Sequence, residues 1–168
     1  MDLTPYYGWI KLLHIVGAFA FVMAHGVSVW ASEHIKKERD VERLRALLNI
    51  SAASLGTMYG GLAILLVGGI LAGIVGNHFG RGWIWASLAI LVVIVVAMYL
   101  LASRYYAQVR RAVGLPSMLD GSMGGPSTTL ATREELDRLL ATNRADLLAV
   151  IGLVGLLVIL GLMVLKPF

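Results

Sequence analysis

The sequence predicts an all-α fold, a transmembrane four-helix bundle, and three observations carry that expectation. Of its 168 residues 58% are hydrophobic and only 14% charged, with a mean hydropathy of +0.80, where a soluble domain carries roughly one-quarter charged residues. Four apolar runs, residues 9–31, 50–75, 83–102 and 147–165, contain no Asp, Glu or Arg. Each can cross ~30 Å of hydrocarbon, which takes about 20 helical residues. The third observation is that most basic residues fall between these runs. Backbone facing lipid must satisfy its own hydrogen bonds, so each run is expected to be a helix. The whole chain, 1–168, reads as one integral membrane domain.

The first run opens behind Tyr6, Tyr7 and Trp9 and closes at Trp30, aromatic residues suited to the two membrane interfaces. Lys11 sits near enough to the start for its ammonium to reach the surface. Asp2, the lack of a positive charge before Lys11, and the length of the run argue against a cleaved leader. The second run, "LGTMYGGLAILLVGGILAGIVG" at its core, is rich in glycine. Gly56 with Gly60, and Gly69 with Gly73, form two G-x-x-x-G spacings that let helix backbones approach. The expected use is packing within the bundle, with a homodimer seam or a groove for a flat cofactor as alternatives. The third run lies between Trp83 with Trp85 and Tyr105 with Tyr106, and the fourth carries Gly152 and Gly155.

The connections set direction. Lys36, Lys37, Arg39, Arg43 and Arg45 follow run one, and Arg104, Arg110, Arg111, Arg133, Arg138 and Arg144 lie between runs three and four, against Arg81 alone in the middle connection. The positive-inside rule then places both long connections in the cytoplasm and both termini outside, in a cell inner membrane. Residues 104–146 are expected to form a cytoplasmic loop with a flexible linker, "GLPSMLDGSMGGPSTT", then a short helix. Thr132 and Glu135 have the spacing of a capping box at its start.

The net charge of +4 and pI of about 9.6 are explained by orientation and do not point to nucleic acid. There is no cysteine, which excludes disulfides, thiolate metal sites and thiol nucleophiles. No G-x-S-x-G, H-E-x-x-H or Walker glycine loop occurs, and no carboxylate pair lies within the apolar runs, which disfavours hydrolases and NTP-driven pumps.

The candidate site is the pair His14 and His25 in run one. Eleven residues at ~100° each bring them to one helix face, about 16 Å apart along the axis. They are too distant to share one metal or one haem. Tyr7, Lys11, Ala18, Phe21, Ser28 and Ser32 share the face, a polar stripe expected to turn inward from lipid. Three readings stay open. The imidazoles are interhelical hydrogen-bond partners of Ser51, Ser54, Thr57, Tyr59 or Ser87. Alternatively they are ligands to haem b or copper, with Met58, Met98, Met163, His34, His78 or a second subunit completing a coordination sphere. A proton or quinone-linked relay is the third.

"WIKLLHIVGA", "LLNISAASLG", "GGILAGI" and the ending "MVLKPF" resemble an uncharacterised family of predicted four-span bacterial integral membrane proteins, over nearly the whole chain. The W-x-K-x-x-H opening of Trp9, Lys11 and His14 is more distantly similar to copper-resistance D-type membrane domains and to HemJ-type protoporphyrinogen oxidases. The resemblance implies a four-helix membrane bundle and marks His14, whose counterpart in the HemJ group is associated with haem. His25 has a counterpart in neither group. Two functions follow as expectations: a haem- or metal-linked redox role through His14 and His25, or a non-enzymatic structural or accessory subunit of a membrane (respiratory) complex. Partners expected are the lipid bilayer and either a second copy or other membrane subunits.

Overall fold

The computed structural model describes residues 2–117 and 130–168. Of the expected linker, residues 118–129 lie outside the described residues. Among the described residues a short 3-10 turn is followed by five helices: α1 (Tyr7–Lys37), α2 (Val41–Val75), α3 (Gly82–Ala112), α4 (Arg133–Ala141) and α5 (Ala145–Leu165). No strand occurs among the described residues. Four of these helical stretches are long and apolar enough to cross a membrane. The chain is an all-α, multi-pass membrane protein.

The helices are longer than the apolar runs. At 1.5 Å per residue, α1, α2 and α3 reach roughly 45–52 Å, about 15–20 Å more than the hydrocarbon needs, whereas α5 has 21 residues and just crosses it. The excess lies at the end rich in lysine and arginine. There the connection between α1 and α2 is only residues 38–40. His34, Lys36 and Lys37 occupy the last turn of α1, where cations suit the helix dipole, and the Asp40 carboxylate caps α2 by accepting from the Arg43 N–H at 2.9 Å.

This overhang carries its own core. Ile35, Leu44, Leu48, Val109, Val113, Leu136 and Leu140 form one buried cluster, drawn from α1, α2, the end of α3, and α4. The expected short helix is α4, with the Thr132–Glu135 capping box formed, and it lies across the end of the bundle to close that core. α3 stops at a Schellman motif: Leu115 N–H reaches Arg110 O, Gly114 N–H reaches Arg111 O, and Gly114 takes the left-handed conformation at φ 75°. Arg45 and Arg110 satisfy carbonyls beyond the helix, at Val113 and Pro116, each at 2.7 Å. Ion pairs tie the end together: Lys36 with Asp146, and Arg39 with Asp137 at 2.7 Å.

Through the membrane-spanning part, α1 lies along α2, α3 along α5, and α1 meets α5. The order across the bundle is therefore α2–α1–α5–α3. Most side chains at this level point outward, as lipid, unlike water, exacts no cost for exposed Leu, Ile and Val. At the far end Asn77 ends α2 in a second Schellman motif, with φ 51°. The Trp83 N–H donates to Phe168 O at 3.3 Å, tying the last residue to the start of α3.

Candidate functional site

α1 approaches α2 closely because glycine leaves room on both helices. A Cβ on Gly61 would lie 2.6 Å from Phe21 N, and one on Gly68 would lie 2.8 Å from His14 N. Gly17 presses on the α2 backbone at Leu65 in the same way. The seam therefore runs through Gly17, Gly61 and Gly68. The two expected G-x-x-x-G pairs contribute differently. Gly69 faces the His14 ring and Gly73 the Phe79 ring, but Gly56 and Gly60 face open space, with nothing within 4 Å of a Cβ at either. Gly56 and Gly60 are thus not part of the α1–α2 seam; it is their neighbour Gly61 that is turned toward α1.

His14 lies in this seam. Its Nδ1 is 2.7 Å from Leu65 O. A carbonyl only accepts, so Nδ1 carries the proton and Nε2 is left as the acceptor. The ring lies over Gly69 and the His14 backbone and Cβ over Gly68, so a side chain at either position would displace it. A second polar link joins the same helices, Ser28 Oγ to Ser54 Oγ at 2.8 Å, and Ser54 donates on to Ser51 O.

His25 faces other helices. Its Nε2 lies 2.7 Å from the point a Cβ on Gly152 of α5 would occupy, and the Met98 methyl of α3 is 3.1 Å from that point. The ring stacks parallel to Phe21, centroids 6.0 Å apart. It makes no hydrogen bond among the described residues. Ser87, one of the expected partners, donates instead to Trp83 O within its own helix.

The other two histidines lie apart from these. His78 Nε2 is 3.1 Å from the Tyr7 hydroxyl, and the Lys11 ammonium sits over the Tyr7 ring. His34 donates from Nδ1 to Trp30 O at 2.8 Å, with the two rings 4.1 Å apart.

Sequence reasoning put His14 and His25 on one face, and α1 presents them to two different neighbours: α2 for His14, α5 and α3 for His25. No single haem or metal fits between them. Among the described residues no three His, Asp or Glu side chains come together as metal ligands would. Met98, one of the methionines considered as second ligands, reaches His25's surroundings. The arrangement supplies interhelical hydrogen bonding and close packing. Comparison of the chain with family models, with curated proteins and with solved structures finds no match.

Proposed function

We propose that this chain is a non-enzymatic accessory subunit of a bacterial inner membrane, one that packs against other membrane helices. In this reading it belongs with the uncharacterised four-span family it resembles, and its basic end lies in the cytoplasm with both termini outside. The orientation is supported by the placement of charge, since only Lys11, Arg81 and Lys166 lie at the other end.

The observation that carries the proposal is the divided use of α2. One side is committed to α1 through Gly17, Gly61, Gly68 and the His14–Leu65 bond. The other presents Gly56, Thr57, Tyr59 and Gly60 outward, at membrane depth, with open space at both glycines. Polar groups in hydrocarbon are satisfied by neighbouring helices, and small residues admit them closely. Either a second copy or another subunit suits this face.

Gly60→Ile and Gly61→Ile separate the roles of adjacent positions. Size-exclusion chromatography with light scattering in mild detergent is expected to show wild type larger than one chain. Gly60→Ile is expected to be a folded monomer, and Gly61→Ile to lose thermal stability. A monomeric wild type, with no partner recovered from cross-linked membranes, would overturn the proposal.

A redox reading is favoured by one observation, the approach of His25 Nε2 and the Met98 side chain to the same point on α5. Imidazole nitrogen and thioether sulfur are a donor pair used by haem iron and by copper. That reading predicts a bound haem or metal released by His25→Ala.

A further inference from the structure

The elbow between α1 and α2 forms a groove of about 380 Å³ lined by His34, Lys37, Glu38, Arg43, Ala46 and Leu47. Its cations differ from their neighbours. Lys36, Arg39, Arg45 and Arg138 are each paired with a carboxylate, whereas Lys37 and Arg43 form no ion pair among the described residues. The one acid in the groove, Glu38, is occupied locally: its Oε1 accepts from the N–H groups of Arg39 and Asp40 at 2.8 and 3.0 Å. Hydrogen bonding leaves the Glu38 carboxylate charged and within electrostatic reach of Arg43, so with Lys37 the groove keeps a net positive charge beside an apolar Ala46–Leu47 surface.

Its depth is set by α1. Residues 34–38 follow the end of the first apolar run by three to seven positions, or about 5–10 Å at 1.5 Å per residue. That is the headgroup layer of a bilayer, whose polar regions add roughly 5–8 Å on each side. The half-exposed Trp30 ring, at the interface position, lies tilted against the His34 ring at the groove wall.

We propose that this groove binds the headgroup of an anionic phospholipid. Arg43 and Lys37 meet the phosphate, Arg43 by its guanidinium fork and Lys37 as a point charge, while Ala46 and Leu47 meet the glycerol and upper acyl chain. The site is independent of the α2 face used for helix association.

Native mass spectrometry of the full chain in detergent, with equal phosphatidylglycerol and phosphatidylcholine of matched acyl chains, tests it. Wild type is expected to retain phosphatidylglycerol selectively. Lys37→Gln with Arg43→Gln is expected to weaken that retention about tenfold or more, as each juxtamembrane cation contributes appreciably. Arg104→Gln with Arg133→Gln removes equal charge outside the groove and is expected to change little. Ala46→Phe, which fills the groove without altering charge, is expected to lose the lipid, and it serves should the double variant fail to fold. Equal retention of both lipids by wild type, or equal loss from the two charge variants, would overturn the assignment. So would displacement of the lipid by inorganic phosphate at comparable concentration.

Discussion

Gly60 and Gly61 are chemically identical and adjacent, yet only Gly61 has a backbone against it. Gly61→Ala must push α1 from α2, at a cost of about 1–3 kcal/mol by analogy with overpacked cores. Gly56→Ala meets nothing and replaces the poorest helix former short of proline with the best, so it is expected to be neutral or slightly stabilising. Thermal unfolding in detergent, followed by circular dichroism, checks both. The sequence displayed G-x-x-x-G spacings, and they are real as spacings, but spacing does not say which side of α2 meets α1. That depends on the rotation of α2, which Gly17 and His14 on the partner helix fix. The polar stripe of α1 was legible in part. Ser28 and His14 do turn to α2, but through Ser54 and a backbone carbonyl, and a main-chain acceptor leaves no mark in sequence.

At the scale of elements, the basic end shows why hydropathy marks shorter spans with loops where the helices themselves are long. Charged residues end a hydropathy window without ending a helix, so 32–45 and 104–112 looked like connections. A signal was present: Leu44 with Leu48, Val109 with Val113, and Leu136 with Leu140 are each four apart, the spacing of one helix face. Leu140→Ala is expected to cost about 2–5 kcal/mol, as for other buried leucines, and to expose α4 to protease while leaving the spans helical. Limited proteolysis beside circular dichroism measures both effects. The α4 cap also responds to acid. The Thr132 N–H, with the Thr132 hydroxyl, holds the Glu135 carboxyl below its ordinary value of 4.5, and the Asp40 and Arg39 N–H groups do the same to Glu38. A carboxyl lowered by folding stabilises the fold above its unfolded value and ceases to do so as pH falls through the folded one. Protection of α4 from hydrogen exchange, corrected for intrinsic rates, is therefore expected to hold at pH 5–7 and to fall below about 4.5. Glu135→Gln should blunt the change.

Over the whole molecule, composition was decisive for class and weak for activity. The four apolar runs of 9–31, 50–75, 83–102 and 147–165 lack acids and arginine because lipid forbids them, and the same constraint makes every such chain look alike in its spans. What distinguishes this one is how its helices are partnered, with α1 between α2 and α5, and that order follows from no single segment. Reporter fusions at the C-terminus and within residues 118–129 test the orientation: an outside C-terminus and a cytoplasmic insertion are expected. The central claim is that His14 and His25 serve separate helix contacts and no common redox centre. The most direct test is the visible spectrum, with metal analysis, of the protein purified from its own membranes in mild detergent. The packing reading predicts no Soret band and metal well below one per chain, unchanged in His14→Ala and His25→Ala. A Soret band or stoichiometric copper that disappears in either variant would contradict it.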